Sequence, residues 1–333
     1  MVEVKNLVKR YGDKLAVNNV SFSVGEGEIL GFLGPNGAGK STTKNIITGY
    51  LSSTSGTVTI DGCEILEDPK GAKTKIGYLP ELPPLYQDMT VKRYLEFVYD
   101  LKKVTLPRQE HLAEVCKVTK ITDVYNRVIK NLSKGYRQRV GLAQALIGNP
   151  PVIILDEPTV GLDPKQIIEM RNLIRGLGKK HTVILSSHVL SEIQAVCDKI
   201  VVISNGSVVA NDRADVLAKN LSNDHKLIIR TEGNKDEIKK LLENIEGMKR
   251  VHYNREAEEG VHEFYLDAAE GKDLRREISK KLSSRNYPIL MMKSNELTLE
   301  EVFLKLTTGD RYGQVDKIEA KLDKITAKKG EKN

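Results

Sequence analysis

Apolar and polar residues alternate at the start of the chain. Val2, Val4 and Leu7 are separated by Glu3 and Lys5, and Val20, Phe22 and Val24 by Ser21 and Ser23. Alternation of period two marks a half-buried strand, so both stretches read as β, with Lys9-Arg10-Tyr11-Gly12-Asp13 as the turn between them. A short apolar run over 29–33 enters a glycine-rich segment, and residues 42–49 are helix-compatible and end on a glycine. Residues 56–62 read as a strand between glycine turns. Residues 75–79 read as another, stopped by the stiff Pro80-Glu81-Leu82-Pro83-Pro84. From Thr90 to about Asn149 the period becomes helical. Val91, Tyr94, Leu95 and Val98 share one face behind a Thr90 N-cap, Leu112, Val115 and Cys116 mark a second helix, and Val140, Ala143, Gln144 and Ile147 a third.

Residues 152–155, Val-Ile-Ile-Leu, are continuously apolar, as in a parallel strand buried on both faces. Asp163-Pro164 opens a helix with Ile167, Met170, Leu173 and Ile174 inward. A further strand at 182–185 ends in Ser186-Ser187-His188, a helix runs over 189–197, and two strands meet at the turn dipeptide Asn205-Gly206. After about Asn220 the order is β-α-β-β-α-β with a last helix opening at Thr298, a ferredoxin-like arrangement in which no catalytic set is found. His225, His252 and His262 have no metal-like spacing. Residues 310–333 are charged, with Val315, Ile318, Leu322 and Ile325 suggesting a short amphipathic helix before a disordered lysine-rich end.

A length of 333 residues suits one large or two modest domains. The net charge of +7 is spread among acidic residues rather than blocked, which favours a solvated basic surface over a nucleic-acid groove, though the sign would suit anionic lipid headgroups. The three cysteines, Cys63, Cys116 and Cys197, give no metal spacing or disulfide framework, which points to a reducing cytosol. No signal-peptide pattern and no apolar run of the ~20 residues needed to span a bilayer is found, so work at a membrane would require another chain to cross it.

The chemistry concentrates at Gly34-Pro35-Asn36-Gly37-Ala38-Gly39-Lys40-Ser41-Thr42, a G-x-x-x-x-G-K-S between a strand and a helix. Its glycines let successive N–H groups turn into one hollow, the helix start adds positive potential, Lys40 brings a full charge and Ser41 a hydroxyl for Mg2+. Asp156 and Glu157 lie at the end of the apolar strand, where open α/β sheets place ligands. An aspartate there suits a Mg-nucleotide site and a glutamate can polarise a water. His188 ends the next strand and can face the same phosphate. Tyr11 is either a core or surface tyrosine or a base-stacking ring.

These segments, in this order, resemble the ATP-binding subunit of ABC transporters, in particular the ABC-2-type export systems, over residues 2 to about 218. Residues 34–42 are similar to Walker A, 152–157 to Walker B, 132–138 to the signature segment and Val160-Gly161-Leu162-Asp163 to the D-loop. The resemblance implies that Tyr11 stacks on adenine, that Gly34 to Thr42 hold the phosphates of ATP, and that Ser41, Asp156 and Glu81 serve Mg2+. It makes Glu157, His188 and Lys40 the catalytic groups. Ser133 and Gly135, with Asp163 nearby, would reach the nucleotide held by a second copy, in a homodimer or heterodimer.

Two positions depart from the family pattern. The signature reads Leu132-Ser133-Lys134-Gly135-Tyr136, where Lys134 either contacts phosphate or points into water and Tyr136 removes an amide expected near the ribose. Glu81 stands where the Q-loop glutamine is usual. The implied fold is α/β, a P-loop NTPase with a mixed-sheet core, an antiparallel β subdomain and a helical subdomain at about 88–149, within 1–218. A small ferredoxin-like α+β accessory domain follows over 219–309, regulatory or dimer-supporting, and then the tail. The implied function is ATP-driven export through a separate multi-spanning permease, with the chain cytoplasmic and peripheral on the inner face of the cell membrane and no nucleic acid bound. The alternatives are a soluble ABC-type ATPase switching a non-membrane partner, and a P-loop phosphotransferase, against which the signature segment and His188 argue.

Overall fold

The computed structural model describes residues 1–213, 216–217, 226–269, 272–294, 303 and 307. The chain divides into two compact units, Met1–Ala214 with Phe303–Asn333, and Asp215–Val302.

The first unit opens with two long antiparallel strands, β1 (Val2–Tyr11) and β2 (Lys14–Val24). Tyr11 ends β1 rather than sitting in the turn, which tightens to Gly12-Asp13. Then come β3 (Ile29–Leu33), α1 (Lys40–Ile47), β4 (Ser55–Ile60), β5 (Cys63–Glu64), α2 (Pro69–Thr74) and β6 (Ile76–Leu79). The pair β5 and α2 has no hydrophobic period to announce it. α2 depends on its cap instead: the Asp68 carboxylate accepts from Gly71 N at 2.9 Å, and Pro69 stands in the first turn. The helical segment follows as α3 (Val91–Leu101), α4 (Arg108–Thr119) and α5 (Lys134–Leu146). Thr90 caps α3 by accepting from Arg93 N at 3.3 Å. Lys102 Nζ donates to Gln144 O at 3.0 Å and Ile147 O at 2.9 Å, satisfying carbonyls at the end of α5, and burial lowers its pKa to about 8. The unit continues with β7 (Val152–Asp156), α6 (Pro164–Gly178), β8 (Thr182–Ser186), α7 (Leu190–Val196) and the hairpin β9 (Lys199–Ser204) and β10 (Ser207–Asp212). Asn205 and Gly206 turn that hairpin with φ of 49° and 79°, a left-handed pair that matches the twist of the strands it joins.

Two sheets result. One is four-stranded, ordered β2-β1-β4-β5, and antiparallel; the other is six-stranded, ordered β10-β9-β3-β8-β7-β6, and parallel except at β10. Their apolar faces share one core, in which Val4, Val20 and Val58 join Leu30, Ile154 and Ile203. β3 is buried at all five residues and hydrogen-bonds to β8 and β9 on its two sides. A strand so placed has no freedom to slip, and it holds the loop that leaves its end. α/β architecture with a mixed sheet, an antiparallel sheet and a helical segment is the arrangement the sequence implies.

The second unit has β11 (Lys226–Glu232), α8 (Lys235–Glu243), β12 (Met248–Glu258), β13 (Val261–Ala268), α9 (Arg275–Ser283) and β14 (Ile289–Ser294). Its antiparallel sheet is ordered β12-β13-β11-β14, the ferredoxin-like order, over a core of Ile229, Phe264, Ile238 and Ile278. Glu263 is buried yet its pKa is lowered. Desolvation pushes it up, but Arg230 Nε at 2.6 Å and Asn254 Nδ2 at 2.6 Å outweigh that. The opening of the expected helix at Thr298 and the tail 310–333 lie outside the described residues. Phe303 and Thr307 are helical, and the Thr307 hydroxyl donates to Phe303 O at 2.7 Å.

Candidate nucleotide site

β3 ends at Leu33 and the chain turns through Gly34–Gly39 into α1. Gly39 caps α1 with φ of 106°, and a Cβ there would sit 2.7 Å from the Ala16 carbonyl oxygen. Only glycine suits both demands. Lys40 Nζ folds back on the loop, donating to Gly34 O at 2.5 Å and Pro35 O at 3.1 Å. Burial lowers the Lys40 pKa, and Lys44 adds to that; Glu157 and Asp156 oppose it by favouring the charged form. Gly34 and Ala38 are themselves buried: Ala38 donates from its N to Pro35 O at 3.2 Å and accepts from Gly206 N at 2.9 Å, so they shape the loop from beneath.

Outside the loop lies an open cavity of 620 Å³, lined by Tyr11, Asn36, Gly37, Gly39, Lys40, Ser41 and Thr42. Tyr11 is 48% exposed, with Lys9 Nζ 5.3 Å from its ring centre. A half-free ring at the mouth of such a cavity can take a base on its face. Lys14, Leu15, Ala16, Asn205 and Gly206 also line it. Sequence reasoning missed these five as site residues. Asn205-Gly206 was legible as a turn, but nothing in the chain says that this turn packs on Ala16.

Asp156 and Glu157 leave the end of β7 beside β8. Asp156 Oδ1 accepts from Ser186 Oγ at 2.7 Å, while its other oxygen accepts from Lys44 Nζ. Glu157 adopts φ of 47°, and its backbone N–H donates to Ser186 O at 3.0 Å. A non-glycine residue in this region is strained by ~1–2 kcal/mol. The conformation turns its carboxylate toward His188, whose Nδ1 lies 2.9 Å from Glu157 Oε2. His188 is exposed, so it can meet a ligand from outside. Behind it Glu192 is a buried carboxylate that accepts from Thr159 Oγ1 and, at 3.2 Å, from Ser187 Oγ. It ties the segment after Glu157 to the segment before His188. Neither Lys44 nor Glu192 could be picked from sequence, since both sit where a helix pattern expects ordinary surface or core residues. Glu81 is exposed, in the proline-rich loop after β6.

The signature segment lies elsewhere. Ser133 caps α5, its Oγ accepting from Tyr136 N at 3.4 Å, and Asp163 caps α6, accepting from Gln166 N at 2.9 Å. Gly135 is buried against α6, and a Cβ on it would approach Gln166 Oε1 to 2.7 Å. Gly135, Tyr136 and Asp163 line a second cavity of 430 Å³ that shares no residue with the first. Lys134 lies along the loop at Gly161, where a Cβ would meet its Cε at 3.0 Å. The Tyr136 hydroxyl donates to Asp123 at 2.5 Å, which raises its pKa.

Comparison with known proteins agrees with this geometry. The family model described as ABC transporter matches residues 17–160. The bacitracin transport ATP-binding protein BcrA of Bacillus licheniformis is 30% identical over 94% of this chain and 99% of its own. The linearmycin resistance ATP-binding protein LnrL of Bacillus subtilis (strain 168) is 31% identical over 92% of this chain and 98% of its own. Among solved structures, an ATP-binding subunit of an ABC transporter superposes with a TM-score of 0.61 at 29% identity, covering 67% of this chain and 93% of that one. A dimeric cassette in a post-hydrolysis state with ADP and Pi gives 0.58 at 28% identity, covering 64% of this chain and 98% of that one. A glycine-rich loop at the end of β3, a carboxylate pair at the next strand end but one and a separate cavity at Gly135 thus sit in a chain that BcrA and LnrL match over more than nine tenths of its length. The protein belongs to the ATP-binding subunits of ABC transporters, and it is an ATPase.

Proposed function

We propose that the chain binds MgATP beneath Tyr11 and hydrolyses it when two copies meet head to tail, and that closure and reopening drive export through a separate membrane-spanning partner. One observation carries the two-copy reading: Gly135 and Asp163 line a cavity that shares no residue with the one lined by Lys40 and Ser41. In one copy the phosphate loop has no signature segment beside it, and a second copy turned about a two-fold axis would supply it, as in isologous dimers generally. The relative solved as a dimer with ADP and Pi supports this reading.

The residue roles follow from chemistry. Tyr11 stacks on the adenine. The backbone N–H groups of residues 36–42 and the Lys40 ammonium hold the phosphates. Ser133 Oγ and the N-terminal turn of α5 meet the γ-phosphate of the partner's nucleotide. The Ser41 hydroxyl at the cavity and the Asp156 carboxylate are hard oxygen donors that suit Mg2+, with Glu81 a third such group. Mg2+, when bound, would neutralise charge on the phosphate oxygens. Glu157 accepts the proton of the attacking water as its oxygen bonds to the γ-phosphorus and the bond to the β-phosphate oxygen breaks, releasing ADP. His188, hydrogen-bonded to Glu157, keeps that carboxylate in line.

Among the described residues no helix is long and apolar enough to cross a membrane. The proline-rich loop and α3 instead expose an apolar group: Leu82 at 78%, Leu101 at 68% and Tyr86 at 55%, with Tyr86 and Phe97 rings 5.4 Å apart. Exposed apolar side chains next to Glu81 and on α3 suit a partner that must feel nucleotide binding. Relatives named for bacitracin transport and linearmycin resistance favour export as the direction. Isolation of the full chain from membranes, with identification of what accompanies it, tests this. A multi-spanning membrane protein is the expected companion. Recovery with ribosomes and no such protein refutes the export reading in favour of a soluble switch.

A further inference from the structure

α1 carries a second lysine one turn after Lys40. Lys44 is buried, 8% exposed, and its ammonium donates to Asp156 Oδ2. It also lies 5.9 Å from the centre of the Tyr78 ring, on the strand beside β7. The other Asp156 oxygen is taken by Ser186. The carboxylate that would support Mg2+ therefore has a protein partner on each oxygen, and one of them is a full positive charge held inside the fold. Side-chain exposures of 9% and 16% place this ion pair out of bulk solvent, where charge–charge effects are screened least.

Resting on the MgATP reading above, we infer that Lys44 is a positioning residue which, through Asp156, weakens the site's hold on Mg2+ and makes nucleotide binding less dependent on the metal. Two effects of one charge combine. An ammonium on the carboxylate cancels much of the negative potential that a divalent cation would use, and it repels that cation. The same ammonium adds a second positive charge behind Lys40, on the helix that meets the phosphates, which favours the metal-free polyanion. Asp156 is held in place by Lys44 and Ser186 whether or not a metal is there.

The test uses the full chain as wild type, Lys44→Met and Lys44→Arg, with equilibrium binding of a fluorescent ATP analogue in EDTA and across a Mg2+ titration. In Lys44→Met the half-saturating Mg2+ concentration should fall by about tenfold or more, since a like charge beside the ion is gone. Its binding in EDTA should weaken. Lys44→Arg should keep the wild-type midpoint. Without nucleotide, Lys44→Met should melt below wild type, because Asp156 loses its partner, and added Mg2+ should recover part of that loss. A Lys44→Met protein that binds the analogue with the wild-type midpoint overturns the inference and leaves the MgATP reading intact. Wild-type binding indifferent to Mg2+ overturns both. If Lys44→Met does not fold, Lys44→Gln, neutral and able to hydrogen-bond Asp156, gives the same comparison with the same two outcomes.

Discussion

Replacing Glu157 separates chemistry from architecture because its side chain and its backbone do different things. Glu157→Gln keeps the shape, leaves the backbone N–H on Ser186 O and retains a polar group within reach of His188 Nδ1, now 2.9 Å from the carboxylate. It removes the proton acceptor. A positioned general base contributes ~10²–10⁴-fold, so steady-state turnover should fall by about that factor, ~3–5 kcal/mol of barrier. Nucleotide binding should hold or tighten, since one negative charge leaves a site built for a polyanion. The backbone part is read by comparing Glu157→Ala with Glu157→Gly. Both delete the carboxylate, but only glycine accepts a φ of 47° without strain. The glycine variant should be the more stable by ~1–2 kcal/mol, a melting temperature higher by ~2–8 °C for a unit of this size. Turnover is followed by phosphate release, binding by a fluorescent nucleotide, stability by thermal melting. Near-normal turnover in Glu157→Gln, or loss of nucleotide binding in step with turnover, refutes the role of base. A glycine variant no more stable than the alanine one refutes the strain.

Specific ATPase activity should rise with protein concentration as copies pair; constant activity, with only monomer seen in sedimentation, contradicts a shared site. Glu192→Leu should destabilise by ~2–4 kcal/mol, because it strands the hydroxyls of Thr159 and Ser187 in a buried place, whereas Glu192→Gln, still an acceptor, should melt near wild type. The double change Leu82→Ser with Phe97→Ser should leave nucleotide binding intact and shift the chain out of the membrane fraction, as fractionation and blotting would show.

Much of the first unit was legible because its signals are local. Apolar runs named β3, β7 and the middle of β8, since a strand buried on both faces is mostly apolar. Thr90 and Asp163 marked helix starts, because a side-chain oxygen has only a few backbone donors in reach. The short β5 and α2 escaped for the opposite reason. They bury little, and their existence depends on β4 and on Asp68 rather than on a repeating pattern.

The sequence by itself determined the order along the chain of the groups we propose for phosphate chemistry: the glycine loop with Lys40 and Ser41, then Ser133 with Gly135, the pair Asp156-Glu157, and His188. That follows from chemistry, because cradling a phosphate demands a particular run of small residues and a cation within a few positions of one another. Only the tertiary structure decided which of these groups meet. Parallel pairing of β3, β8 and β7 sets the strand ends side by side and puts His188 against Glu157. The packing of α1 turns Lys44, an unremarked helix position, into the partner of Asp156. The same folding places Gly135 and Lys40 on different cavities within one copy. Contacts between residues far apart in sequence depend on strand order and register, which no local pattern encodes.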